Sequence, residues 1–168
     1  MGKFIRLKKG FTINLAGKAA PKIAETEPAE TVSIKPSDFH GLYIPKVVVK
    51  EGDIVKAGTT LFHDKRLEQV QFTSPVSGEV VEVRRGERRM LLEVKILADK
   101  KNDYERFRKY TVSEIANLSA DNIKSQLLEA GVWPNLVQRP FGTIADPALT
   151  PKAIHISAFD THPLAPDY

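Results

Sequence analysis

The chain has 168 residues, 27% of them charged and 42% hydrophobic, enough for one domain with a substantial core or for a small domain plus part of a second. The absence of cysteine excludes disulfides, thiolate metal sites, cysteine-ligated iron–sulfur clusters and cysteine nucleophiles, and no apolar run approaches the roughly 20 residues that span a bilayer. The net charge of +4 comes from bases interleaved with acids, as in Arg84-Arg85-Gly86-Glu87-Arg88-Arg89; this suits a solvated face first, an anionic surface or acidic partner second, and nucleic acid hardly at all.

The N-terminal Met1–Gly10 segment is basic but lacks the apolar core and cleavage site of a signal peptide, so a cytoplasmic location is expected. From Phe4 to about Leu97, short strand-forming runs are punctuated by Gly, Pro and Asp, the pattern of a small all-β module. Residues 19–37 hold three prolines and little apolar mass, which predicts an extended wrap around that module, because proline cannot donate to a central ladder. The clearest strand runs are Lys46–Lys50, Glu79–Val83 and Met90–Leu97.

Two of these runs belong to matched segments. In Val49-Lys50-Glu51-Gly52-Asp53-Ile54-Val55-Lys56-Ala57-Gly58-Thr59-Thr60-Leu61, a turn after a valine strand is followed by an inward Val55 and a second turn. In Thr73-Ser74-Pro75-Val76-Ser77-Gly78-Glu79-Val80-Val81-Glu82-Val83, the same turn logic precedes another valine strand. Glycine suits such turns because they often need positive φ. The pair resembles the two halves of the barrel-sandwich fold of lipoyl and biotinyl carrier domains, whose function rests on one lysine in the hairpin between the halves. Here that lysine is Lys65, in Leu61-Phe62-His63-Asp64-Lys65-Arg66-Leu67. Asp64-Lys65 mimics the lipoyl Asp-Lys but follows Leu61 sooner than that pattern requires, and it lacks the methionines that flank a biotinyl lysine. An ordinary turn lysine is therefore the first expectation for Lys65. His63 and Asp64 read as a polar turn, since adjacent strand residues point to opposite faces.

After the polar break at residues 98–103 the character changes. Ser119 is placed to cap a helix over Ala120–Ala130, with Ile123, Leu127 and Leu128 on one face and Gly131 at the C′ position. Trp133 and Phe141 are expected to anchor the following loop on a hydrophobic core, or else to lie at an interface. Ala153–Ala158 reads as a strand, and Asp160-Thr161-His162-Pro163-Leu164 as either a functional loop at a strand end or a simple turn. One helix and one strand cannot cover both faces of a parallel sheet, which predicts a fragment or a part that packs on a partner. The four histidines, His40, His63, His155 and His162, show no ligand spacing.

In this order the segments resemble the A subunit of the sodium-translocating NADH:quinone oxidoreductase along essentially the whole chain. The strings that carry the resemblance include Ile5–Phe11, Leu15–Ala19, Val49–Asp53, Asp64-Lys65, Arg85–Arg89, Leu127–Trp133, Arg139–Phe141 and Asp160–Ala165. The resemblance implies a peripheral subunit on the cytoplasmic face of a bacterial inner-membrane complex that couples NADH oxidation and quinone (ubiquinone) reduction to Na+ export. It implies a docking role near the quinone site, with the flavins and the iron–sulfur centre held by other subunits, which are its partners. In the related C subunit of Rnf-type complexes, a glycine-rich loop after such a helix helps to hold a flavin nucleotide. Here Val132-Trp133-Pro134 follows Gly131, so FMN or NADH binding of that kind is not expected.

The expected fold class is thus α+β: an N-terminal barrel-sandwich hybrid, lipoyl/biotinyl-like, over residues 1–100, then the incomplete start of a Rossmann-like α/β domain over 101–168. No residue is assigned a catalytic, cofactor-binding or metal-ligating role. The competing function is a lipoyl- or biotinyl-type carrier modified on Lys65.

Overall fold

The computed structural model describes residues 22–158, together with Arg6, residues 8–10 and 15–17, Ala20, His162 and Ala165. Ile5, Leu7 and Phe11 of the Ile5–Phe11 string lie outside the described residues, as do Asp160 and Thr161. Pro28–Thr150 form one compact unit, and residues 1–27 with 151–168 form a second.

Seven strands build the barrel: β1 (Thr31–Ile34), β2 (Pro45–Val47), β3 (Ile54–Val55), β4 (Thr60–Asp64), β5 (Leu67–Thr73), β6 (Gly78–Arg85) and β7 (Leu91–Ala98). They form two antiparallel sheets, ordered β1-β7-β6-β3 and β2-β4-β5. The two sheets share one core, which takes Val55, Val80, Val94 and Ile96 from the first and Leu61, Phe62, Val70 and Phe72 from the second. Phe62 and Phe72 are register partners, stack at 4.9 Å, and Phe39 meets Phe72 edge-on at 4.6 Å. Burying side chains of this size contributes about 1.5–3 kcal/mol apiece. The mixed α+β class with a barrel-sandwich module holds.

The turn chemistry follows the glycines. Gly52 and Gly58 have φ of 89° and 101°, and Val55 is buried between them. Gly78 opens β6 so close to β7 that a β-carbon there would fall on the Leu97 carbonyl oxygen. Within the proline-rich segment, between Pro28 and Pro36, the chain forms not an extended wrap but an edge strand: β1 pairs with β7, with Thr31 opposite Leu97. That is where prolines are tolerated, at the ends of an edge strand.

Beyond Ala98 the chain stays bonded to the barrel. Ala57 donates to Asp103 O at 2.9 Å, Glu105 donates to Ala57 O at 2.8 Å, and Thr59 Oγ1 donates to Glu105 Oε1 at 2.8 Å. A short helix α1 (Val112–Ile115) follows, closed by a reciprocal capping box between Thr111 and Glu114. Helix α2 (Ala120–Glu129) begins as expected, with Ser119 Oγ accepting from the Asn122 amide at 3.2 Å. Leu127 and Leu128 pack on the core, while Ile123 stays 38% exposed. Gly131, at φ 65°, ends the helix directly against the Thr73 side chain at the end of β5. Strands β8 (Val137–Gln138) and β9 (Thr143–Ile144) then form a small ribbon, tied down by Ile144 donating to His40 O at 3.1 Å.

In the second unit, the strand expected over Ala153–Ala158 does not form. Ile154 and Ile156 are 73% and 91% exposed, and no ladder among the described residues includes them. A strand's hydrogen bonds need a neighbour, which local propensity cannot supply. Among the described residues, no helix is long and apolar enough to cross a membrane.

Candidate functional site

The segment between the barrel halves is a hairpin with a two-residue turn, Lys65-Arg66, because Asp64 pairs with Leu67. Asp64, only 4% exposed, shapes it. Its carboxylate accepts the Arg66 amide at 2.9 Å and the Tyr43 amide at 3.4 Å. An aspartate before a turn does this readily, its short side chain reaching the amide two residues on. The Lys65 amide donates to Ile44 O at 2.9 Å, and the Arg66 guanidinium lies 4.5 Å from the centroid of the Tyr43 ring. The main chain of the tip is therefore pinned from three sides, and the Lys65 side chain is exposed.

Lys65 thus stands exposed in a two-residue turn directly after β4, in keeping with the ordinary turn lysine that is the first expectation for it. His63 and Asp64 are both buried, but the imidazole Nδ1 faces the Asp64 carbonyl at 3.2 Å. With the Asp64 carboxylate committed to backbone amides, the two make no acid–base pair.

The matching segment of the second half is held differently. Ser77, 3% exposed, donates through Oγ to Asp99 at 2.6 Å and accepts from the Asp103 amide at 3.0 Å, while the Lys101 amide donates to Asp99 at 3.0 Å. The Ser77 hydroxyl first, and the Lys101 amide second, hold the Asp99 carboxyl below its ordinary value. This network ties the polar break to the start of β6.

At the end of α2, Trp133 turns into the core, 6% exposed, with Nε1 donating to Ala145 O at 2.7 Å. The anchoring expected of this loop is seen at Trp133 but not at Phe141, which is 78% exposed. Pro134 supplies no amide hydrogen, and Trp133–Asn135 curl into a 3₁₀ turn instead of an open cradle of N–H groups. Among the described residues, no group of three or more His, Cys, Asp or Glu side chains could hold a metal ion. The sequence reading missed the Tyr43–Arg66 contact and α1; the Asp before Lys65-Arg66 and the Thr111-x-x-Glu114 spacing were the available signals.

Comparison with known proteins matches two successive parts of the chain. Residues 5–99 match the family model of the NqrA N-terminal barrel-sandwich hybrid domain, and residues 118–168 match that of the NqrA second alpha/beta domain. The chain is 36% identical over 163 residues to the A subunit of the Na(+)-translocating NADH-quinone reductase of Alcanivorax borkumensis, covering 97% of this chain and 36% of that protein. It is 38% identical to the same subunit from Serratia proteamaculans, over 164 residues, and from Neisseria meningitidis serogroup A, over 163, with the same coverage. The chain spans about 36% of the length of the curated relatives it matches.

Proposed function

This chain belongs to the NqrA family, and from that premise we propose that it serves as a docking portion of the A subunit of a Na+-translocating NADH-quinone reductase. In this reading it is a peripheral part of a complex that couples NADH oxidation and quinone reduction to Na+ export. It sits on the cytoplasmic side of the membrane near the quinone site, and the flavins and iron–sulfur centre reside on other subunits. The observation that carries the reading is the ordered match along 97% of the chain. The geometry supports a platform role: Gly131 and Trp133 lock the opening of the second module onto the first, and exposed hairpin tips project from the result. The division at residues 100 and 101 is then one between sequence modules, with residues 101–150 in one compact unit with residues 28–100.

The test uses the full-length subunit expressed with the other subunits of the complex. Co-purification, with crosslinks to partner subunits from photoreactive residues placed at Lys65 and Phe141, is the expected result. A full-length subunit that never co-purifies, or whose removal leaves quinone reduction intact, would end the reading.

The exposed tip position of Lys65 favours one second reading, a carrier hairpin modified on that lysine. Intact mass of the protein from cells with active lipoyl and biotinyl ligases decides it: an adduct on Lys65 supports the carrier, and an unmodified mass removes it.

A further inference from the structure

The hairpin joining β6 and β7 closes through the Met90 amide donating to Glu87 O at 3.0 Å and the Gly86 amide donating to Met90 O at 2.8 Å. Its two central residues, Arg88 and Arg89, both have positive φ, 52° and 61°. Asn-Gly fills a turn of this hand with little strain, whereas a residue carrying a long side chain is held there against its steric preference. Strained residues of this kind tend to persist where they serve a function.

Both arginines are exposed, and so is the neighbouring Arg85, whose Nη1 donates to Arg89 O at 3.3 Å. Arg85 and Lys50 also line, with Val49, Glu51 and Val83, an open hollow of about 380 Å³. The nearby acids are occupied elsewhere: Glu93 pairs with Arg84 at 3.3 Å, Glu82 with Lys95 at 2.7 Å, and Glu51 accepts the Val83 amide at 2.9 Å. Glu87 is the one acid within the turn. Among the described residues, Lys50, Arg85, Arg88 and Arg89 take part in no ion pair.

We propose that the Arg88-Arg89 turn, with Arg85 and Lys50, is a docking site for an acidic surface of a partner protein. The assignment rests on the docking reading above and gives it a surface. Guanidinium groups match carboxylates in a two-pronged geometry that a lysine cannot reproduce. Met90, 58% exposed beside them, completes a pairing of arginine and methionine typical of protein interfaces. A lipid surface is the poorer match, since the turn carries no Trp, Phe or Leu to enter the acyl boundary and includes Glu87.

The test is a full-length protein carrying Arg88→Asn with Arg89→Gly, which keeps the turn and removes both charges. Its unfolding temperature is expected to exceed that of wild type, because the left-handed strain is relieved. Its affinity for the complex assembled from the remaining subunits is expected to fall about tenfold or more, and to depend less steeply on salt than wild-type affinity does. Unchanged affinity and salt dependence would overturn the proposal, as would a loss of binding accompanied by a lower unfolding temperature. Binding of wild type to phosphatidylglycerol vesicles that needs the arginines, while binding to the remaining subunits does not, would also overturn it by reassigning the site to lipid. A wild-type protein that fails to bind those subunits at all sinks the docking reading itself, an outcome distinct from failure of the arginine assignment alone.

Discussion

The barrel ends in two basic two-residue turns that are built in opposite ways. At Lys65-Arg66 the turn is relaxed: a buried aspartate accepts two amides, an arginine covers a tyrosine ring, and neither turn residue has positive φ. At Arg88-Arg89 there is no comparable side-chain cap, and both residues sit in the left-handed region. The first turn is stabilised by its surroundings and holds its backbone for them; the second is held by the β6–β7 ladder in spite of its own residues. Position at a hairpin tip therefore does not by itself distinguish a structural turn from one kept for its side chains. Strain relative to the least strained residue for that turn does.

The comparison breaks most completely at the ladder. Gly78→Ala would drive a β-carbon into the Leu97 carbonyl, and a cost of about 3 kcal/mol or more is expected from such overpacking, read as a lowered urea midpoint for the whole domain. Asp64→Ala removes the acceptor of two amides; a loss of about 2 kcal/mol is expected, with faster tryptic cleavage at Lys65-Arg66 as the local readout. Arg88→Asn with Arg89→Gly has the opposite sign, a gain of about 1 kcal/mol from relieved left-handed strain. An unchanged or lower stability would show that the second turn is not strained. Arg66→Ala should cost about 0.5 kcal/mol through its lost contact with Tyr43.

The smallest effect is a pH dependence in the ribbon that carries the second tip. Lys95 bonds to Glu82 across the strands at 2.7 Å, which lowers the Glu82 carboxyl below its ordinary value and raises Lys95 above its own. A lowered carboxylate contributes stability above its unfolded value and loses it as pH falls through the folded one; a raised lysine contributes below its unfolded value and loses it as pH rises through the folded one. The pair's contribution is thus present between the acidic and alkaline limits and lost at both. The difference in thermal midpoint between wild type and Glu82→Gln should shrink toward zero on acidification, and a difference that persists would sink the assignment.

The paired barrel halves were legible because their signals are local. Glycines stand where turns need positive φ, Val55 alternates inward, and a serine caps α2. Trp133 was legible too, since a lone tryptophan after an amphipathic helix has little else to do than fill a core. Residues 153–158 misled because β propensity is satisfied only by a partner strand, and the edge strand at Thr31–Ile34 was hidden by its flanking prolines.

By itself the sequence determined which segments turn, which alternate as strands and where the long helix begins, because these depend on neighbours within a few residues. Only the tertiary structure decided that Gly131 lets α2 touch β5, and that Arg88 and Arg89 are held against their steric preference. Those outcomes come from strand register and close packing between residues far apart in the chain, which no local pattern encodes.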